Sequence, residues 1–387
     1  MWFFSSPQIV FGEGALSYLA QIHGTRAYII TDEQMQKLGF VDLVKEQLAQ
    51  ANIETRVFDQ VEPEPCLDTV RRGALLLCDY EPDWIIGLGG GSAMDAAKAM
   101  WALYERPDLP ADGISPLEYL GLGKKAKLIT ISTTSGTGSE VTWFTVLSDL
   151  NEKRKLGLGS RETLATIAIV DSLFALKMPP RLTADTGLDA LVHAIEGYTG
   201  TWHNDFADSV CLQAIKLIFA YLPKAYANGN DVEARERMHN AAALAGLGFG
   251  NSMAALAHAM GHSLGAVFHV PHGRAVSLFL PYTMEFNANA GVYRYADIAR
   301  FIGLCGDDEK QLTQQLIAAV RDLQNKLESK TNLMALGIAR DDFEKSMEHL
   351  LVNAENDNQI VPSPRQPDRA ELRKLFEYAY AGKHIDF

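Results

Sequence analysis

The chain carries only four cysteines in 387 residues, Cys66, Cys78, Cys211 and Cys305, with no CxxC spacing and no cysteine paired with a histidine. A disulfide framework and a thiolate zinc site are thereby excluded, and the four read as reduced bystanders. Basic charge is also in short supply. With 35 lysines and arginines against 48 aspartates and glutamates the formal charge is −13, and no basic block is long enough to neutralise a phosphate backbone. Nucleic acid is therefore not expected as a partner. Long apolar runs are missing too: the opening Met1, Trp2, Phe3, Phe4 is broken by Pro7, Gln8 and Gly12 too early for a signal sequence or a membrane span. The expectation is a soluble, cytoplasmic protein with no membrane partner.

What is present is apolar residue in quantity. At 47% hydrophobic the chain can bury two cores, since single cores seldom grow beyond about 250–300 residues. Up to about residue 175, β-rich runs at 27–31, 84–88, 128–132 and 167–171 alternate with helix-like segments. That alternation predicts a mainly parallel sheet with covering helices. Pro179 and Pro180 then punctuate the chain, and apolar residues recur at helical spacing over 207–222, 234–247 and 312–327. Two domains are expected: α/β over 1–178 and all-helical over 179–387.

Two loops carry the signs of a nucleotide site. The apolar run 84–88 is followed by Gly89, Gly90, Gly91 and Ser92, and then by a helical pattern over 93–103. In that order the glycines let the backbone approach an anion, and the N-terminus of the following helix favours negative charge. A tight βα turn with no ligand explains a bare glycine triplet equally well. Ser92 and Asp95 also have the spacing of a helix-start pair. After the strand ending at Ser132 come Thr133, Thr134, Ser135, Gly136, Thr137, Gly138, Ser139 and Glu140, whose hydroxyls and N–H groups suit a cofactor's amide, ribose or phosphate oxygens. The plain alternative is a Ser/Thr-rich surface loop.

Histidine is concentrated in one place. Four of the ten, His258, His262, His269 and His272, fall within fifteen residues of an apolar, helix-like stretch. Asp189 and His193 stand at i and i+4 in the helix-like 186–198, on one face and one turn apart. His258 and His262 repeat that spacing, and a stretch containing Gly265 is expected to bring His272 back to the same point. One carboxylate with imidazoles suits Zn²⁺, Fe²⁺, Mn²⁺ or Co²⁺. A lone histidine on an apolar face is more often a satisfied core residue, but several such polar groups without compensation would cost several kcal/mol.

With these residues in view, the sequence resembles the iron-containing, or group III, alcohol dehydrogenase family. The likeness starts at PQIVFGEGA, residues 7–15, runs through the glycine loop to Asp95 and Lys98, and includes Asp171, Pro179, Asp189, His193, Glu196 and the segment 258–273. The resemblance implies a Rossmann-like N-terminal domain, a helical C-terminal domain, NAD, and one divalent ion, usually Fe²⁺, with Zn²⁺ as the alternative. It implies Asp189, His193, His258 and His272 as ligands and leaves His262 beside nicotinamide and substrate; spacing alone does not separate His262 from His258. It also implies pyrophosphate on Gly90, Gly91 and Ser92, Asp95 supporting that loop, and Thr133, Thr134 and Thr137 along the cofactor. The chain departs from the family at Glu64, between Pro63 and Pro65, where asparagine is common, and at Ser172 and Ser363. None is a proposed ligand.

The activity expected is hydride exchange between a small alcohol and NAD, with His262 relaying the alcohol proton. Asp32, at the end of the run 27–31, is expected to bind the adenosine ribose and repel a 2′-phosphate, unless it only caps the next helix. The rival readings are a zinc glycerol-dehydrogenase-like or dehydroquinate-synthase-like relative, a metal hydrolase, and a non-catalytic NAD sensor. Substrate contacts are expected from 142–144, 202–206 and the surroundings of Phe268. The apolar strip Trp2, Phe3, Phe4 is expected to be covered, by a second subunit in a homodimer or by tucking into its own sheet.

Overall fold

Isoleucine and valine dominate strands that have no exposed face, and that arrangement explains the architecture of the first half of the chain. The computed structural model describes residues 3–150, 152 and 154–387. Two compact units divide at Met1–Lys177 and Met178–Phe387.

In the first unit the strands are β1 (Gln8–Phe11), β2 (Arg26–Ile30), β3 (Glu54–Phe58), β4 (Trp84–Gly89), β5 (Lys127–Ser132), β6 (Phe144–Asp149), β7 (Arg154–Gly159) and β8 (Ile167–Val170). Six of them form one sheet in the order β1-β8-β5-β4-β2-β3, and every pairing is parallel. Successive side chains face opposite sides. Ile29, Ile86 and Ile131 join one buried cluster, and Ile30, Ile85 and Leu128 join the other. Helices α1 (Glu33–Lys37), α2 (Phe40–Gln50), α3 (Leu67–Tyr80) and α4 (Gly91–Glu105) provide the cover that a parallel sheet requires. From β2 the chain moves outward to β3, then returns to the other side of β2 to form β4. The C-terminal ends of β2 and β4 therefore flank the point where the strand order reverses, which is where open α/β sheets bind ligands. The antiparallel hairpin β6–β7 was not expected from the sequence.

The second unit contains only helices among the described residues: α5 (Pro180–Thr199), α6 (Asp205–Ala227), α7 (Val232–Gly250), α8 (Leu256–Phe268), α9 (His272–Asn289), α10 (Tyr295–Phe301), α11 (Glu309–Lys326), α12 (Arg340–Glu355) and α13 (Arg369–Ala381), with short 3₁₀ turns. Pro179 is the N-cap of α5 and Pro180 its first residue, where a missing N–H costs no helical bond. By length and composition α6 could cross a membrane, with mean hydropathy 1.3. Its Cys211, Ala214, Ile215, Ile218 and Leu222 instead belong to the core of this unit.

The stretch containing Gly265 does bring His272 back to Asp189, His193 and His258, but Gly265 itself lies inside α8; the reversal falls at His269, whose φ of 54° is left-handed, and at Pro271, which starts α9. The N-terminal strip does not enter the sheet: Phe3 and Phe4 precede β1 and are 57% and 39% exposed, with the Arg161 guanidinium 4.8 Å from the Phe3 ring centre. Trp2 lies outside the described residues. All four cysteines are free.

Candidate metal centre and dinucleotide loops

In the first unit three adjacent strands end side by side. Asp32 follows β2, the glycine loop follows β4, and the loop starting at Thr133 follows β5. Thr31 Oγ1 donates to Leu88 O at 2.7 Å, and Thr133 N donates to Gly89 O at 3.0 Å, which ties the three strand ends together. Gly89 has φ +150°, and a Cβ there would meet Ala93 Cβ at 2.7 Å. A Cβ on Gly91 would lie 3.1 Å from Thr137 Cγ2, and one on Gly90 would lie 3.4 Å from Thr134 Cγ2, so the two loops pack directly on each other.

The helix-start role expected of Ser92 and Asp95 is not what these residues do. The N-cap of α4 is Gly90, with no side-chain cap. Ser92 Oγ accepts from Glu64 N at 3.2 Å, while Asp95 accepts from Ser139 Oγ at 2.6 Å and from Val146 N at 2.9 Å. Asp95 thus supports the second loop and the hairpin, and the first N–H groups of α4 are left for an anion. Thr133 Oγ1 and Thr134 Oγ1 are buried with no hydrogen-bond partner, and Thr133 and Ser135 are buried residues, so this is not a solvated surface loop. Uncapped amides and orphaned hydroxyls at one sheet edge fit a dinucleotide. Asp32 caps α1 through Oδ1, at 2.8 Å from Gln34 N and 3.1 Å from Met35 N, and its Oδ2 would lie 3.6 Å from a Cβ on Gly89. The capping role is met, and the second oxygen faces the glycine loop.

Sequence reasoning missed the ties behind these loops. Lys98, fully buried on α4, donates to Ser139 Oγ and to Phe144 O, both at 2.8 Å. Burial pushes its pKa down to about 8, against the charges of Asp95 and Glu140. Burial likewise pushes Glu140 up to about 7. Glu64 sits at φ 58°, a conformation that asparagine, common here in the family, adopts more readily than glutamate; its carboxylate pairs with Lys155 at 2.5 Å.

In the second unit the helical period of α5 places Asp189, His193 and Glu196 on one face at i, i+4 and i+7. The i, i+4 pair His258 and His262 comes from α8, and His272 is the first residue of α9. Two glycines allow these helices to close on each other. A Cβ on Gly261 would stand 2.7 Å from Val276 Cα, and one on Gly273 would stand 2.2 Å from Asp185 O. Asp185 also receives Arg274 Nη2 at 2.8 Å, which docks the first turn of α9 on α5.

The result is convergence on a single oxygen. Asp189 Oδ1 stands 3.3 Å from His272 Nε2, 3.9 Å from His258 Nε2 and 4.0 Å from His193 Nε2. Asp189 Oδ1 and His258 Nε2 are buried with no hydrogen-bond partner. Orphaned donors and acceptors at these separations suit a cation, because two ligand bonds of about 2.0–2.2 Å span up to about 4.4 Å. The four ligand atoms lie within 4.8 Å of one another, so the widest pair must draw in by a few tenths of an ångström. Burial pushes the His193 pKa down to about 3, leaving it in the neutral form that can ligate. The side chains of Asp189, His193 and His258 are at most 5% exposed, but that of His272 is 36% and that of His262 25%, so the cluster opens on their side.

Three contacts of the cluster were not anticipated from the sequence, although Glu196 is among the residues that carry the resemblance. Glu196 Oε2 is 2.6 Å from His258 Nδ1, Asp357 Oδ2 is 2.6 Å from His262 Nδ1, and the Phe249 ring stacks on His193 at 4.0 Å. Burial lowers the pKa of His262, with Asp357 opposing it; at His258 burial also works downward, but the bond to Glu196 and its charge carry the value upward. Of the expected substrate contacts, Trp202 and Phe206 are 40% and 70% exposed. Trp143 stacks on Phe144 at 3.9 Å.

Comparison with known proteins supports the same reading over nearly the whole chain. The family described as iron-containing alcohol dehydrogenase matches residues 6–172, and the C-terminal part of the Fe-containing alcohol dehydrogenase family matches residues 183–380. An NADPH-dependent butanol dehydrogenase of Clostridium saccharobutylicum is 42% identical over 99% of this chain and 99% of its own. The chain spans about half the length of the aldehyde-alcohol dehydrogenases it also matches, 46% of the one from Entamoeba histolytica. An iron-containing alcohol dehydrogenase from Thermococcus thioreducens has a TM-score of 0.90 at 31% identity, covering 99% of this chain and 100% of that one. A sulfoacetaldehyde reductase from Bifidobacterium kashiwanohense, solved with NAD⁺, has a TM-score of 0.88 at 28% identity, covering 98% and 99%. The glycerol-dehydrogenase-like and dehydroquinate-synthase-like alternatives are not favoured. By both matches and by its fold, the chain belongs to the iron-containing alcohol dehydrogenase family, metal-dependent oxidoreductases of alcohols and aldehydes that use NAD(P) and an iron ion.

Proposed function

We propose that Asp189, His193, His258 and His272 hold one Fe²⁺, with Zn²⁺ as the alternative, and that the enzyme exchanges hydride between a small alcohol and NAD. The observation that carries this reading is the approach of three imidazole Nε2 atoms to Asp189 Oδ1 at 3.3 to 4.0 Å, with no hydrogen bond to satisfy that oxygen. When bound, a divalent ion supplies Lewis acidity towards an alcohol or carbonyl oxygen, and the nicotinamide supplies hydride exchange.

The residues divide the remaining work. Gly89, Gly90, Gly91 and Ser92 take the pyrophosphate at the uncapped start of α4, with Thr133, Thr134 and Thr137 along the dinucleotide and Asp95 bracing their loop. Asp32 binds the adenosine ribose. His262 accepts the alcohol proton at Nε2 while Asp357 holds its Nδ1–H, and it lies on the more open side of the cluster. The cytoplasm suits the four free cysteines. The exposed Phe3 and the position of β1 at the edge of the sheet among the described residues favour a homodimer, which sedimentation at micromolar concentration checks by its mass.

The test joins an NADH absorbance assay over a panel of alcohols and aldehydes to metal analysis. About one equivalent of metal per chain and turnover of a small alcohol are expected. His272→Ala should lose both, and full metal content with full activity in that variant would remove the ligand assignment.

A further inference from the structure

Glu196 lies seven residues beyond Asp189 on α5, on the face that carries Asp189 and His193, and is 4% exposed. Its two oxygens accept from three donors on the other side of the cluster: Ala255 N at 2.9 Å, Ala257 N at 2.6 Å and His258 Nδ1 at 2.6 Å. Ala255 is the N-cap of α8 and has no side-chain cap of its own. One carboxylate therefore satisfies the backbone at the start of α8 and also fixes the ring of the first histidine on that helix. An ionised carboxylate can only accept, so His258 carries a proton on Nδ1, and in the neutral ring, the form that ligates a metal, Nε2 then holds the free lone pair. That Nε2 is the buried atom, without a hydrogen-bond partner, that faces Asp189 Oδ1 at 3.9 Å.

We propose that Glu196 is a positioning residue for the metal centre: from α5 it caps α8 and locks His258 in the tautomer and orientation that ligate the ion. The inference rests on the reading of His258 as a ligand. Its physical basis is that a carboxylate on the far nitrogen fixes which nitrogen of an imidazole is free and makes that nitrogen a better donor to the metal. The helix and the ligand are set by the same side chain. Any displacement of Glu196 therefore moves both the arm and the ring at its end. No other acidic side chain among the described residues hydrogen-bonds the Nδ1 of His258.

The test uses the full-length protein loaded with Zn²⁺ and follows release of Zn²⁺ into a chromophoric chelator, alongside circular dichroism and ¹⁵N spectra of the histidine rings. In Glu196→Gln a single oxygen must serve three donors. Zn²⁺ affinity is expected to fall about 10- to 100-fold, the usual cost of losing such a partner, and the His258 ring to lose its fixed Nδ1–H form while helix content persists. Wild-type release with an unchanged ring signal would overturn the proposal. His258→Ala, measured in parallel, separates the two levels: if that variant keeps its Zn²⁺, the ligand reading itself fails. If Glu196→Gln does not fold, Glu196→Asp keeps the charge but draws the oxygens back by one methylene. Faster release from that variant supports the positioning role, and release at the wild-type rate overturns it.

Discussion

His262 Nδ1 and Asp357 Oδ2 stand 2.6 Å apart although 95 residues separate them in the chain. Asp357 is itself held, its Oδ1 accepting from Gln359 N at 2.8 Å, so the histidine is aimed from a fixed point. If His262 moves the alcohol proton, His262→Ala should lower kcat by about 10²-fold or more, the range for a positioned acid or base. Metal content should stay near one equivalent, because the ring is outside the proposed ligand set. Steady-state kinetics with metal analysis checks both, and wild-type turnover across pH would remove the relay.

Close helix packing makes a second prediction. A Cβ on Gly273 would come within 2.2 Å of Asp185 O and 3.1 Å of Asp189 Cβ, both on α5. Backbone cannot yield as the end of a flexible side chain can, so Gly273→Ala must push the first turn of α9 away from α5. Overpacking of this kind typically costs about 1–3 kcal/mol. His272 precedes Gly273 directly and would move with it. A lower melting temperature together with weaker metal retention is expected; a stable variant that loses no metal would show that α9 can shift without disturbing His272.

Some of this was legible in the sequence and some was not, for physical reasons. β4 and β8 read clearly because strands buried on both faces become short continuous apolar runs, WIIGLG and IAIV. Asp189 with His193 and His258 with His262 were legible because each pair repeats one helical turn. Glu196 and Asp357 act across 62 and 95 residues, and no local period records such a partner. The return of His272 was legible from the stretch containing Gly265, but the place of the turn was not, because it is made by His269 in a left-handed conformation and by Pro271. The hairpin β6–β7 was hidden because β6 mixes buried, half-buried and exposed positions.

Glu140 makes a prediction about pH. Its carboxyl is buried, its Oε2 has no hydrogen-bond partner, and burial raises its pKa from 4.5 to about 7, with the Lys98 charge only partly opposing the shift. Below the unfolded value the group is protonated in both states. Between 4.5 and about 7 the unfolded chain releases the proton while the folded chain keeps it, so stability falls as pH rises and the loss is complete above about 7. At about 1.4 kcal/mol per unit the loss is about 3 kcal/mol. Glu140→Gln removes the titration, so the melting temperature of the variant should gain on wild type by several degrees between about pH 4.5 and pH 8. A difference that stays constant with pH, measured by calorimetry, would reject the assignment.

If Asp32 binds the adenosine ribose as proposed, it sets the choice between NAD and NADP. Its Oδ1 is committed to the amides of Gln34 and Met35, but its Oδ2 lies on the glycine-loop side, 3.6 Å from where a Cβ on Gly89 would sit. At the reversal point of the sheet that oxygen can accept from a ribose hydroxyl, whereas a 2′-phosphate would meet like charge. The 42% identical butanol dehydrogenase is NADPH-dependent, so family membership does not decide the matter and the side chain must. Asp32→Gly separates the two roles of the residue. Glycine replaces a capping side chain at a cost of a few tenths of a kcal/mol, so α1 should persist while the charge disappears. The ratio of kcat/KM with NADP to that with NAD should therefore rise, by about 10-fold for each 1.4 kcal/mol of repulsion removed. Paired initial-rate measurements with both cofactors read it directly; an unchanged ratio, or a wild type that already prefers NADP, would take the discrimination away from Asp32.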